Sequence, residues 1–257
     1  MPMQKNSKMY IFGANATGVV AQFVHPVYEV IPVQAASALA LDGGQGASRV
    51  DRFQHQILSF DAAYVDVRGD RAANGDYVTV ALSVVEKFNL LDVVTCDRIV
   101  GRLTGTYPAD LNAPAEISIV PTGSVFERLR IGNVFFERLE VAPEFFGEPG
   151  HASWTGLLAA LQNPRERDLL QSISLPAPNG DAVLLPEAGQ KRDLLGFCIG
   201  PSDPLQFSVP NFGTVHLGEF FCGPTYRRLI MLRAELDGAV QGSVVVGDPV
   251  VIGDPYP

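Results

Sequence analysis

The sequence predicts a mainly β protein made of stacked or sandwiched antiparallel sheets, with one αα-hairpin inserted. Apolar and polar residues alternate in many segments, as in strands with one buried face. The 25 glycines and 19 prolines are spread along the chain and mark turns between short elements. With 257 residues, 47% of them hydrophobic, the chain is long enough for one large all-β domain with a substantial core.

The clearest predicted strand covers residues 77–88, where every second residue from Val78 to Val84 is apolar. Another alternating run starts at Leu58, and its apolar phase changes near Tyr64, which predicts a bulge or a bend there. Further strands are predicted at 10–24, 28–33, 93–103, 116–120, 134–141, 214–221, 226–236 and 242–246.

A repeat-like unit occurs three times in the first half of the chain. The copies are V-D-R-F-Q-H-Q-I-L-S-F from Val50, V-E-K-F-N-L-L-D-V-V-T from Val85 and V-F-E-R-L-R-I-G-N-V-F from Val125. Similar units that cannot bury a face alone stack on one another, either as strands of layered sheets or as a solenoid. The similarity is equally consistent with strand–turn–strand units that share no more than composition.

One segment breaks the β pattern. Ser153 is suited to cap a short helix, and Asn163, Pro164 and Glu166 form an N-cap, a first-turn proline and a capping box for a second helix. The sequence therefore predicts a helical hairpin at 151–174.

Three regions follow from these elements. Residues 1–150 form a β-rich region with the repeat-like units, and 151–174 form the helical hairpin. Residues 175–257 hold a loop-rich segment and C-terminal strands that complete the same β domain. Prolines concentrate in 175–210, which indicates a boundary, a lid or a contact surface.

The C-terminus carries two similar hexapeptides, V-V-V-G-D-P at 244–249 and V-V-I-G-D-P at 250–255. Two hexapeptide coils are too few to bury the core of a β-helix. We therefore expect a final strand at 242–246 followed by an extended tail with turns.

Charge and hydropathy exclude several classes of partner. The net charge of -9 argues against sequence-independent binding of nucleic acid. Nowhere do eighteen apolar residues run together, so no membrane span is predicted. The first residues lack the apolar stretch of a signal peptide, which favours a cytoplasmic location; a surface or secreted protein without its leader would look the same.

No cofactor or metal site is predicted. Gly13 and Gly18 lie in a segment that resembles a dinucleotide-binding turn, but G-x-G-x-x-G is absent, and we expect a strand with a glycine bend. The histidines form no metal-binding motif, and the three cysteines lie in apolar surroundings typical of buried side chains.

The candidate catalytic residues are His55, Asp97 and His216, as groups that could act as acid or base. Asp97 could pair with Arg98 beside it. On a regular strand, His216 and Glu219 would point to opposite faces and could not act together.

The run N-L-L-D-V-V-T-C-D-R-I-V at 89–100 resembles a recurrent element of uncharacterised bacterial β-rich surface proteins of the choice-of-anchor kind. The resemblance implies a β-rich bacterial protein and supplies no catalytic residues. Long apolar strands and a charged fraction of 18% favour a non-catalytic binding or self-assembly protein that forms a homo-oligomer. The alternative is an enzyme or small-molecule binder with a pocket between the sheets, gated by 175–210.

Overall fold

Two antiparallel β-sheets pack face to face in the part of the chain that the computed structural model describes, residues 8–112, 114–141, 150–163 and 205–256. The six-stranded sheet has the order β10-β11-β12-β13-β1-β2, and the seven-stranded sheet has the order β3-β4-β5-β6-β8-β9, with β7 beside β6. The fold is therefore mainly β and sandwich-like. The elements are β1 (Met9–His25), β2 (Glu29–Ala38), β3 (Gly44–Gln54), β4 (Leu58–Arg71), β5 (Tyr77–Leu90), β6 (Val94–Tyr107), β7 (Ser118–Val120), β8 (Val125–Ile131), β9 (Val134–Glu140), α1 (Trp154–Gln162), β10 (Leu205–Val209), β11 (Gly213–Cys222), β12 (Tyr226–Asp237) and β13 (Gln241–Tyr256).

The core lies between the two sheets, and small residues let them approach closely. A Cβ atom added to Gly101 of β6 would lie 2.8 Å from Cγ of Met231 on the opposite sheet. Nearby, the buried Ser83 hydroxyl donates a 2.9 Å hydrogen bond to the carbonyl of Thr17 across the interface. Both contacts require the facing strands to keep one relative position.

The three repeat-like units form three hairpins of the seven-stranded sheet. Val50 begins the unit that turns from β3 into β4, Val85 the unit that turns from β5 into β6, and Val125 the unit that turns from β8 into β9. These hairpins lie side by side in one sheet. Of the two arrangements expected from the units, the structure has the layered sheet.

The expected phase change in β4 is present, but it lies earlier than Tyr64. Phe60 and Ala63 both face the core, with Asp61 and Ala62 between them. The pairing register of β4 with β5 is the same on both sides of this point, so no residue is inserted as in a bulge.

The C-terminal tail is the part of the predicted fold that is wrong. Both hexapeptides lie in one strand, β13, which spans Gln241–Tyr256 and pairs with β1 over most of its length. Gly247, with φ of +66°, allows the strand to change phase and continue. In the second hexapeptide, residues 250–252 pair with both β1 and β12, and residues 253–255 continue the pairing with β1.

The first predicted helix is confirmed as α1, and the amide of Gly156 donates a 3.1 Å hydrogen bond to the capping Ser153 hydroxyl. The second predicted helix lies outside the described residues, as does the 175–204 part of the loop-rich segment. No helix within the described residues has the length and apolar character needed to cross a membrane.

Candidate functional site

His55 lies in the turn between β3 and β4, and its ring is held on three sides. Nδ1 accepts a 3.3 Å hydrogen bond from the amide of Ile57, so Nε2 carries the proton and donates to Glu29 at 3.2 Å. The ring also stacks on Phe23, with 5.9 Å between centroids. These contacts tie the β1–β2 hairpin to the β3–β4 turn, and both ring nitrogens are engaged.

Asp97 lies on the outer face of the seven-stranded sheet. Its carboxylate pairs with Nζ of Lys87 at 3.0 Å and with the guanidinium of Arg128 at 3.4 Å. Its ion-pair partners are therefore on the neighbouring strands β5 and β8. Arg98, the pairing partner suggested by sequence, hydrogen-bonds Tyr64 instead, which is the main cause of the raised pKa of its guanidinium.

His216 lies on the outer face of the six-stranded sheet, level with Arg233 of β12. Its Nε2 is 4.0 Å from Oε2 of Glu235. The expectation that Glu219 points to the opposite face is wrong, because Gly218 has φ of +66° and the strand changes phase there. Glu219 accepts two 2.7 Å hydrogen bonds from Arg233, which raise the pKa of that guanidinium.

The structure does not bring His55, Asp97 and His216 together. They lie in a turn and on the outer faces of two different sheets. Among the described residues, no group of three or more His, Cys, Asp or Glu side chains is arranged to hold a metal ion.

A surface depression of about 280 Å³ lies among three hairpin ends. Arg130 closes one side, where its guanidinium donates a 2.7 Å hydrogen bond to the carbonyl of Asp92. Ser208 and Pro210 line the other side, and they belong to the segment that the sequence suggested as a lid. None of the described residues that line this depression is a histidine, so among them it does not join either histidine candidate to a carboxylate.

The outer face of the seven-stranded sheet carries a regular pattern that the candidate residues did not reveal. One level of the sheet holds alternating basic and acidic residues on six successive strands, which we call the first charge row. The register of the pairs on either side aligns its members, which are Arg52, Asp61, Lys87, Asp97, Arg128 and Glu137 in strand order from β3 to β9; the ion pairs of Asp97 with Lys87 and Arg128 agree with this alignment.

A second charge row lies one residue away on the same face, with the signs mostly reversed. Its members are Asp51, Ala62, Glu86, Arg98, Glu127 and Arg138, again from β3 to β9. The rows arise because each strand has two consecutive outward residues at this level. In β3, β5 and β8 the basic residue of the first row adopts a left-handed backbone, with φ of +54°, +54° and +52°.

Within the charge rows, side chains of opposite charge face each other on neighbouring strands. Lys87 and Arg128 pair with Asp97 in the first row, and Arg138 lies 3.4 Å from Glu127 in the second. Opposite charges on facing strand positions are favourable, whereas like charges are unfavourable. A shift of one residue between strands would bring like charges together, so the rows specify the register of the sheet.

At one side of the sandwich the edge strands β2 and β3, which belong to different sheets, contact each other. Side chains of the β1–β2 hairpin are exposed there although they are apolar. The exposed fractions are 54% for Val24, 69% for Val27, 67% for Tyr28, 50% for Val30 and 47% for Val33. No residue of β3 is buried. We call this region, which consists of the β1–β2 hairpin tip and the edges of β2 and β3, the open side of the sandwich. It is the strongest candidate for a binding surface.

Sequence reasoning missed β3 and both charge rows. A signal was present, because the acidic–basic pair D-R, E-K or E-R directly precedes Phe53, Phe88 and Leu129 in the three repeat-like units. The segment 44–54 escaped prediction as a strand because its alternation of apolar residues is weak.

In the comparisons with known proteins, the chain matches one family model, and that family has no described activity. A family model, a domain of unknown function named DUF8256, matches residues 10–153. The matched part covers β1 to β9, and therefore the exposed hairpin and both charge rows. No curated protein and no solved structure matches the chain.

Proposed function

The chain belongs to the DUF8256 family, and we propose that it is a non-catalytic binding module that assembles with copies of itself through the open side of its sandwich. The observation that carries this proposal is the apolar surface of the β1–β2 hairpin. Val27 and Tyr28 at its tip are each about two-thirds exposed. Isolated apolar side chains are common on protein surfaces, but contiguous ones mark contact surfaces.

The position of this surface supports association. It lies beside two edge strands, where unpaired backbone groups can accept a further strand. The hairpin is also held in place, because His55 joins it to the β3–β4 turn through Glu29 and Phe23. A surface ordered before binding loses less conformational entropy on association.

The arrangement of the charged groups supports a non-catalytic role. In the charge rows, acidic and basic side chains pair with one another across the strands. At His55, both ring nitrogens are already engaged. A binding role also agrees with the resemblance of residues 89–100 to bacterial β-rich surface proteins.

The test is the oligomeric state of the purified chain and of a Val27→Ser/Tyr28→Ser variant. We expect the wild-type protein to form an oligomer, and the variant to raise its dissociation constant about tenfold or more, because exposed apolar area is lost. The matched control is Leu41→Ser. Leu41 is 65% exposed but follows β2 and lies near Phe12, at the other end of β1.

Sedimentation velocity over a concentration series measures the association, and circular dichroism checks that both variants are folded. A wild-type protein that stays monomeric to about 0.5 mM, which means association weaker than about 4.5 kcal/mol, would contradict the proposal. An equal effect of Leu41→Ser would show that the hairpin has no special role.

A further inference from the structure

We infer that the free edge of β3 is a self-pairing interface, at which β3 strands of two copies pair in antiparallel orientation about a two-fold axis. The axis places Asp51 of each copy opposite Arg52 of the other. This inference rests on the proposed self-assembly and identifies its geometry. It follows from the equivalence of β3 with two other strands of the same sheet.

The motif of β3 occurs in strands that have neighbours on both sides. V-D-R-F at 50–53 corresponds to V-E-K-F at 85–88 in β5 and to F-E-R-L at 126–129 in β8. In all three strands the basic residue has φ between +52° and +54°. Strand β5 lies between β4 and β6, and β8 lies between β6 and β9. The left-handed residue is therefore compatible with a strand on either side.

Strand β3 differs because, among the described residues, it pairs with β4 alone. Its side chains match this position. Val50 and Phe53 face the core but are half-buried. Asp51 accepts a 2.8 Å hydrogen bond from Arg49 of its own strand and still retains 60% exposure of its side chain. The corresponding residues of β5, Val85 and Phe88, are fully buried. Strand β3 therefore has the surface of an interior strand that lacks one neighbour.

The occupied strands show what the missing neighbour should present. Glu86 pairs with Ala62 on one side and with Arg98 on the other. The same register places Lys87 level with Asp61 and with Asp97, to which it forms an ion pair. The rule is a carboxylate opposite the basic residue, and a basic or small residue opposite the acidic one. The free side of β3 should therefore receive an acidic residue opposite Arg52 and a basic residue opposite Asp51.

A second copy of β3 satisfies this rule. In an antiparallel pair with the axis between positions 51 and 52, Asp51 faces Arg52 of the other copy, and Arg52 faces Asp51. In the same register Val50 faces Phe53, which covers both half-buried apolar side chains. The two charge rows would then continue from one copy into the other with alternating sign.

The neighbouring registers are unfavourable. With the axis through position 51, two aspartates face each other, and with the axis through position 52, two arginines do. Facing like charges destabilise a strand pair. The sequence of β3 therefore favours one register and disfavours the registers on either side. Such discrimination is expected of an edge strand that pairs specifically, whereas an edge strand that aggregates pairs in many registers.

Charge reversal with complementation tests this interface. Asp51→Lys puts two basic residues at the axis, and Arg52→Asp puts two acidic residues there, so each variant repels itself. Mixed in equal amounts, the two variants restore both opposite-charge pairs in a heterodimer. The control is Glu140→Lys, which reverses a charge on β9, the edge strand at the other side of the same sheet.

Sedimentation velocity measures each protein and the mixture, and energy transfer between differently labelled variants detects the heterodimer. We expect each single variant to raise the dissociation constant about tenfold or more, and the mixture to return to within about threefold of wild type. We expect Glu140→Lys to behave as wild type. Thermal unfolding confirms that each variant is folded.

The outcomes separate this inference from the proposed function. A wild-type oligomer that is insensitive to both charge reversals overturns the β3 interface and leaves assembly through the hairpin intact. Variants that dissociate without recovery in the mixture overturn the Asp51–Arg52 pairing. A wild-type protein that is monomeric throughout overturns both proposals.

Discussion

Lys87 lies in the middle of β5 with φ of +54°, a backbone conformation that glycine adopts freely and β-branched residues avoid. Strands ordinarily favour valine over glycine by about 1 kcal/mol. At position 87 we expect the opposite order of stability. The left-handed conformation is what allows Glu86 and Lys87 to face outward together, so this order tests the origin of the charge rows.

The magnitude follows from three contributions to the free energy of unfolding. Lys87→Gly removes a left-handed cost of about 1–2 kcal/mol. It adds about 0.5–1 kcal/mol of backbone entropy and loses an exposed ion pair with Asp97 worth up to about 1 kcal/mol. These nearly cancel, so we expect Lys87→Gly to lie within about 1 kcal/mol of wild type.

Lys87→Val loses the same ion pair and keeps a strained backbone, so we expect it to be about 1–3 kcal/mol less stable than Lys87→Gly. Urea unfolding, monitored by circular dichroism, measures the difference. The matched control is Arg102, an exposed residue of β6 without a positive φ, where valine should be more stable than glycine. If Lys87→Val is as stable as Lys87→Gly or more stable, the left-handed conformation of residue 87 is not what turns Glu86 and Lys87 outward together.

Two further predictions concern the core. Ser83→Ala should lower the free energy of unfolding by about 1–2 kcal/mol in urea, because it removes the cross-sheet hydrogen bond that the buried Ser83 donates to the carbonyl of Thr17; an unchanged midpoint would show that this bond contributes nothing. Burial raises the pKa of Cys96 to about 12, so in a Cys198→Ala/Cys222→Ala protein the thiol should not react with a disulfide reagent at pH 8 until urea unfolds the chain. Because the folded pKa is raised, the stability from this thiol is complete below its unfolded value of about 8.5 and is lost as the pH rises toward 12. Rapid reaction of the folded protein would contradict the burial of this side chain.

The strands that sequence reasoning found are those with a clear alternation of apolar residues. Strand β5 is the best example, since its alternating valines predicted a strand over 77–88 and the structure has Tyr77–Leu90. The cap at Ser153 likewise predicted the start of α1. Strand β3 was missed because none of its residues is buried. Strand β13 was predicted too short because G-D-P is typical of turns, whereas in the structure both G-D-P segments remain in the strand that pairs with β1.

The spatial neighbours of the candidate residues could not be predicted from the local sequence either. His55, Asp97 and His216 were chosen for their chemical type, and the structure gives each of them different neighbours. Asp51 and Arg52 were present in the repeat-like unit, but nothing in the sequence showed that their strand lies at an edge. The positive φ of Gly218 also changed the face on which Glu219 lies, which a regular alternation could not predict.

The alternation of apolar residues and the positions of turn residues were enough to predict the mainly β class and most of the strands and turns, because these depend on residues close together in the chain. The folded chain was needed to show which strands are neighbours, where each strand changes phase and which strand has a free side. The physical reason is that sheet pairing joins residues far apart in sequence, as Arg128 and Asp97 show. The apolar fraction therefore predicted a core, while the charge rows and the open edge became visible once the strands were placed side by side.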